Sequence, residues 1–224
     1  ALALAIDRVG LTKEVLRGAK FPAWHFSPKM PGYEPADTFE DDVEEARALL
    51  AEAMADLGIA DAKDYPSIEI LYPTSDSGRI VTEALQSMWT ANLGIDVKLY
   101  NQEWKVYLDS TNAQDYDVAW SAWIGDYVDP MTFLDMLVTD GGNNRTGWSN
   151  ARYDQLVKDV QSVRDPDDRA EMFYNMERIL GQECPIIPLY FYTSVNAVST
   201  EVKGWHGTLL DIHPLHDIWL ERSE

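Results

Sequence analysis

The chain has 224 residues and carries 38 acidic against 18 basic side chains, a formal net charge of -20. That balance excludes the broad positive field on which binding to nucleic acid or to an anionic membrane rests. Hydrophobic residues make up 46%, with eight tryptophans, enough core for one large or two small domains, and no low-complexity tract argues for disorder.

Residues 1–18 read as an amphipathic helix stopped near Gly18. The opening Ala1-Leu2-Ala3-Leu4-Ala5-Ile6 has no initiating Met and no N-cap residue. It reads as the middle of a helix, so the chain is expected to be a fragment of a longer parent. Pro22, Pro28, Pro31, Gly32 and Pro35 predict a loop over 19–39. From Asp41 to Leu57, Val43, Ala46, Leu49, Leu50, Ala53, Met54 and Leu57 share one helical face, and Gly58 stops the helix. Ser67 to Tyr72 reads as a strand. Thr74, Ser75 and Asp76 then offer caps for a helix over 77–92, whose buried stripe is Ile80, Ala84, Leu85, Met88 and Trp89. Residues 95–100 alternate as a strand with one polar face. A helix over 102–111, capped by Asn101, leads to a strand over 116–123. That strand is apolar on both sides, as in a parallel sheet between two layers.

The resulting βαβαβ order predicts right-handed crossovers. Pro130 opens a helix over 131–138, and 140–147 reads as a flexible loop. A helix over 150–163 precedes a better-signalled one, with Asp165 as N-cap, Pro166 at the first position and Asp167 and Asp168 in the first turn, running to about Gln182. Cys184 is the sole cysteine, which rules out an internal disulfide. In its apolar setting ILGQECPII it is expected to pack rather than react. Residues 185–192 read as an extended apolar strand whose prolines suggest a sheet edge. The Gly-, His- and Trp-rich tail from Val202 carries no clear period. No signal peptide, lipobox or transmembrane run is visible.

The stretch Asn101 to Pro130, NQEWKVYLDSTNAQDYDVAWSAWIGDYVDP, organises the rest. Its strand delivers tryptophans and a carboxylate, Asp126, to a carboxyl end, where open α/β sheets bind ligands. This stretch resembles the oligopeptide-binding proteins of bacterial ABC importers. ALALAIDR, DVEEARALLAEA, IEILYPTSD, LGIDVKLYNQEW, YDQLVKDV and CPIIPLYFY follow in that family's order. The resemblance implies a three-layer α/β lobe like those of periplasmic binding proteins, with a mixed, largely parallel sheet. It maps onto the second of two lobes and leaves a missing N-terminal lobe unaccounted for. It further implies capture of short peptides by closure of two lobes, delivery to permease subunits in the membrane, and a home in the periplasm or cell envelope. A binder rather than an enzyme is implied, and neither cofactor nor metal is expected.

The resemblance also implies roles for particular residues. Trp123, Asp126 and Tyr127 match the pattern in which the aspartate holds a ligand's α-ammonium, a charge-assisted bond that gains strength in a closed cleft. The competing reading has Asp126 capping the helix at Pro130, for which Asp129 is the better-placed residue. Trp104 and Trp123 match cleft positions as flat apolar walls, while Trp120 is balanced between cleft and core, and Trp148 is a further aromatic candidate. Arg79 and Arg145 are candidates for a ligand's anionic group. Thr111 and Trp120 stand where relatives carry arginine, and Gly78 where one carries histidine, which leaves peptide length open. His213 and His216 are separated by Pro214 and Leu215, which breaks helical metal-ligand spacing. Asp126 and Asp129 share one tight loop and do not flank a scissile bond from opposite sides. Other occupants of the same fold stay open: a nickel chelate, haem or a sugar, or a sensory role in a regulator.

Overall fold

The structure is a computed structural model that describes residues 1–221. The first eighteen residues do not form the single helix that their amphipathic pattern predicts. A turn over the first five residues gives way to a short helix α1, Arg8–Gly10, which passes into one π-helical turn, Leu11–Val15. The reason lies in where the backbone bonds go. The Leu2 and Ala5 carbonyls accept from the side chains of Trp89 (2.9 Å) and Asn92 (2.8 Å) instead of from a helical ladder. Arg8 is fully buried, ion-paired to Asp41 and bonded to the carbonyls of Ala3 and Pro188. Amphipathic spacing is thus met by two short segments clamped from outside.

The predicted loop after Gly18 contains a strand, β1 (Lys20–Pro22). It pairs antiparallel with residues 190–192, Phe21 opposite Phe191. Pro22 is tolerated because this ribbon has only two strands. Next comes α2, Val43–Asp56, whose N-cap Asp42 accepts from the amides of Glu44 and Glu45, both at 3.0 Å.

The central unit is β2 (Ile68–Pro73), α3 (Asp76–Leu93), β3 (Val97–Gln102), α4 (Trp104–Asn112) and β4 (Val118–Ala119). The three strands are parallel in the order β3-β2-β4, with Ile68 opposite Val97 and Ile70 opposite Val118. With both crossovers right-handed, α3 and α4 lie on opposite faces, giving three layers. Ser75 caps α3, and Gly94 at φ +73° ends it, a left-handed conformation that costs glycine little. Two predicted bounds move here. β3 begins at Val97 because its register with β2 starts there, while Ile95 is spent in the core. α4 is capped by Glu103, whose carboxylate accepts from Lys105 N at 2.9 Å; Asn101 bonds Thr74 instead.

Ala5, Ile6, Ala46, Leu50, Ile70, Val81, Leu85, Trp89 and Val97 make the first core, between α2, α3 and the sheet. A second core joins α5 (Met131–Leu134), α6 (Ala151–Asp159) and α7 (Pro166–Glu183) around Leu134, Tyr153, Val160 and Met176. The predicted cap of α7 holds: Asp165 accepts from Asp167 N and Asp168 N, with Pro166 at the first position. The buried carboxylate of Glu177 ties this second core to the 25–28 segment, accepting from Phe26 N (2.8 Å) and Ser27 N (2.7 Å).

The extended run 185–192 narrows to β5, Tyr190–Tyr192. Cys184 is exposed and ends α7 in the left-handed conformation, φ 51°, so it caps a helix rather than packing in a core. The 140–147 loop is irregular but knitted together, not loose: the Asn144 amide donates to the carbonyls of Val138 and Trp148. The tail forms a small antiparallel pair, β6 (Val202–Lys203) with β7 (Trp219–Leu220). Among the described residues, no helix is long and apolar enough to cross a membrane.

Candidate functional site

The sheet order reverses direction about β2, so the crevice outside the carboxyl ends of β2 and β4 is a topological switch point, where open α/β sheets receive ligands. β4 is far shorter than the strand predicted over 116–123. After one more ladder bond, Trp120 N to Leu71 O at 2.8 Å, the chain leaves the sheet. It does so because the next segment is strapped to α5 instead. Trp123 Nε1 donates to Thr132 O at 2.7 Å, and Asp126 N donates to Thr132 Oγ1 at 2.8 Å. Gly125 permits the close approach: a Cβ there would meet Thr132 Cγ2 at 2.8 Å and the Phe133 ring at 3.1 Å. Thr132 itself is 2% exposed, so both bonds are made away from bulk water.

Two aspartates of this loop divide the work. Asp129 caps the helix, accepting from Met131 N at 3.0 Å, and forms a forked pair with Arg169. Asp126 is therefore not needed as a cap. Its side chain is exposed and takes no ion-pair partner among the described residues. Tyr127, 45% exposed, reaches Asp135 at 3.5 Å. Burial pushes the Asp135 carboxyl up, the Tyr127 hydroxyl opposes that, and the nearby charge of Asp126 adds to it. The Tyr127 phenol is raised by burial first, then by Asp135, Asp129 and Asp126. The rim thus carries a negative field with one unspent carboxylate, which favours an ammonium group.

The aromatic candidates sit at the same sheet edge by two routes. Trp104 opens α4 directly after β3; it is 57% exposed and stacks on Tyr107, with ring centroids 5.6 Å apart. Tyr107 in turn donates its hydroxyl to Trp120 O at 2.7 Å, which couples this stacked pair to the rim loop. Trp123 is half-buried with its indole N–H already committed to Thr132. Trp120 is half-buried against the first core, so more of it is packing than wall.

Other candidates lie elsewhere. Trp148 packs edge-on to Tyr153 and donates to Glu183, as part of the second core. Arg79 pairs with Glu83 one turn away on the exposed face of α3. His213 bonds Asp211 and stacks on Trp205, whereas His216 faces Asp217. Among the described residues, no three His, Cys, Asp or Glu side chains gather as metal ligands. Arg145 is different: it is half-buried, and its Nε is buried with no partner. Sequence reasoning passed over Thr132 and Tyr107, the two residues that hold the rim in place. A signal for Thr132 was present, a hydroxyl two positions after the helix-opening Pro130; Tyr107 had none.

Residues 1–145 match the model of bacterial extracellular solute-binding proteins, family 5 middle region. The chain is 37% identical over 209 residues to the oligopeptide-binding protein OppA of Bacillus subtilis, covering 91% of this chain and 38% of that protein. It is 35% identical over 208 residues to the periplasmic murein peptide-binding protein MppA of Escherichia coli, covering 92% of this chain and 38% of that one. The crystal structure of Haemophilus influenzae OppA in complex with RPPGFSPFR superposes with a TM-score of 0.82 at 34% identity, over 98% of this chain and 44% of that chain. The α/β lobe with its parallel sheet is the architecture shared with these proteins. The chain thus spans about two fifths of the length of the curated relatives it matches. Over that span, its fold, its ordered motifs and the family model agree: the chain belongs to the bacterial extracellular solute-binding proteins of family 5.

Proposed function

We propose that this chain is the second ligand-binding lobe of a two-lobed solute-binding protein that captures short peptides outside the cytoplasm and delivers them to the permease of an ABC importer. The observation that carries the reading is Asp126: an exposed carboxylate without an ion-pair partner among the described residues, held by its own backbone near the carboxyl end of β4. A peptide offers the complementary group, a charged amine at a fixed end, and a closed cleft raises the strength of such a pair. Trp104 and Trp123 provide flat apolar faces near it and Tyr127 a hydroxyl, while Trp120 backs the rim loop from the first core. The relatives named for peptides support the ligand class. Closure would come from hinge motion against a first lobe, the closed form being what the permease recognises. The chemistry is binding, with no group transferred.

Mass spectrometry of small molecules released by denaturation from the natural protein, at its full length, tests this. A ladder of short peptides is expected. A single non-peptide species, such as a sugar or a metal chelate, overturns the peptide reading and with it Asp126 as an amine anchor.

A further inference from the structure

The last rung between β2 and β4 has no backbone donor. Along β2, successive amides face opposite neighbours. Those of Ile68 and of Thr74, just past the strand, face the β3 side and donate to Asp96 O (3.0 Å) and Gln102 O (2.8 Å). That of Glu69 faces the other way and meets the Asp117 carboxylate beside β4 at 2.9 Å. Residue 73 is in phase with Glu69, so its amide is the one due to face β4. Trp120 N donates to Leu71 O at 2.8 Å, and in a regular parallel ladder Trp120 O would then accept from residue 73. Residue 73 is proline, which has no N–H to give.

A side chain supplies what the backbone lacks. The Tyr107 hydroxyl donates to Trp120 O at 2.7 Å. Tyr107 is buried on α4, so the packing of its ring holds the hydroxyl in place. Burial pushes the phenol up, with Ser121 and the Arg145 charge acting against it, so the hydroxyl keeps the proton that it donates. This bond falls where the chain turns out of the sheet. Further on, Thr132 holds the loop at Trp123 and Asp126, so the run 120–126 is pinned at both ends. The same tyrosine ring carries Trp104, stacked on it with centroids 5.6 Å and planes 21° apart. One residue thereby joins the exposed tryptophan wall to the root of the loop that presents Asp126.

We propose that Tyr107 is the positioning residue of the amine anchor: its hydroxyl replaces the ladder donor that Pro73 lacks, fixes where the chain leaves β4, and so sets where Asp126 stands. This rests on the peptide reading above and adds to it a residue that touches no ligand. A charge-assisted bond depends on the placing of its acceptor, so a loosened root costs the ammonium contact more than it costs the rest of the ligand. Pro73 and Tyr107 form one device, and a backbone amide at position 73 makes the hydroxyl dispensable.

The test is a double-mutant cycle on the full-length natural protein. The probes are two equimolar libraries of alanine- and serine-containing peptides of two to five residues, one with free amino termini, the other N-acetylated. Retention is read by native mass spectrometry. The wild type is expected to prefer free-amine peptides by about tenfold or more. Tyr107→Phe keeps the ring and its stack and loses only the hydroxyl; the preference is expected to fall about fivefold, the equivalent of one ordinary hydrogen bond. Pro73→Ala alone is expected to match the wild type, and Pro73→Ala combined with Tyr107→Phe to recover the preference to within about twofold. Residue-resolved hydrogen exchange without ligand reads the same root: the Trp120 amide is expected to exchange about fivefold faster in Tyr107→Phe and to return to the wild-type rate in the double variant. A merely structural tyrosine would lower the melting temperature and leave the preference untouched. An unchanged preference in Tyr107→Phe, or a double variant as impaired as Tyr107→Phe alone, overturns the assignment while the peptide reading stands. A wild type with no preference for free amines overturns the amine anchor itself, and the positioning role of Tyr107 with it.

Discussion

Thr132 is where the rim can be tested without touching the ligand. Its Oγ1 accepts from Asp126 N at 2.8 Å, while its main-chain oxygen holds the Trp123 indole. Thr132→Val keeps the shape and the main-chain bond but removes the acceptor. A methyl in the place of Oγ1 would also stand too close to the Asp126 amide, so the loop must move outward by a few tenths of an ångström or more. A hydrogen bond of this kind contributes about 1 kcal/mol net, and an amide left unmet in a buried place costs about 1–3 kcal/mol. The Asp126 side chain is exposed, so water partly replaces the lost partner, and a local loss of about 1.4 kcal/mol is the central expectation. That corresponds to about a tenfold faster exchange of the Asp126 amide hydrogen. Thr132→Ser keeps the oxygen and loses the methyl that meets Gly125. Its global stability is expected to fall by about 1 kcal/mol, but its Asp126 amide is expected to stay protected. Native-state hydrogen exchange with residue resolution reads both variants. Equal protection of Asp126 in Thr132→Val and Thr132→Ser would refute the idea that this hydroxyl fixes the loop.

Asp126→Ala in the full-length protein is expected to weaken peptides with a free amine by about 2 kcal/mol or more, because a closed cleft then holds an unpaired ammonium; calorimetry showing the same loss for N-acetylated peptides would remove its assigned role. Burial raises the Glu177 carboxyl above its ordinary 4.5, against the pull of its bonds from Ser27 and Phe26. The folded state therefore binds this proton more tightly than the unfolded one, so stability rises as pH falls from neutral through the raised value and levels off below about 4.5. Glu177→Gln is expected to remove that rise, and thermal melting from pH 7 to 4.5 in which the two proteins run parallel would sink the argument. The isolated 224-residue chain is expected to fold cooperatively, since both its cores close within it, yet to bind peptides feebly; micromolar or tighter binding by the chain alone would contradict a two-lobed cleft.

Legibility in the sequence followed how local each cause was. The caps of α3 and α7 could be read because Ser75, Gly94, Asp165 and Pro166 act on backbone within one turn of themselves. The βαβαβ order was legible for the same reason, since period and punctuation are written in neighbouring residues; the stripe read for α2 was too wide, with Ala46, Leu50 and Met54 buried but Leu49, Ala53 and Leu57 exposed. At the site, the motif around Trp123, Asp126 and Tyr127 pointed to the rim, and Asp129 was recognised as the better cap. The length of β4 was not legible. Val118 to Trp123 is apolar enough for a long strand, but only pairing with β2 on one side and capture by Thr132 on the other decide where it stops.

The sequence by itself determined the order of the central strands and helices, the caps of α3 and α7, and a parallel pairing by way of crossover helices. Tertiary structure decided the rest. It broke the first eighteen residues into separate pieces by offering Trp89 and Asn92 to their carbonyls. It also built a strand into a proline-rich loop by bringing residues 190–192 beside it. Above all, it sorted the charges: Asp129 was spent on Arg169 and Arg8 on Asp41, while Asp126 was left without an ion-pair partner among the described residues. The physical reason is range. Capping and periodicity act over a turn or two of chain, whereas the pairing of a charge depends on whichever partner the completed fold brings within about 4 Å.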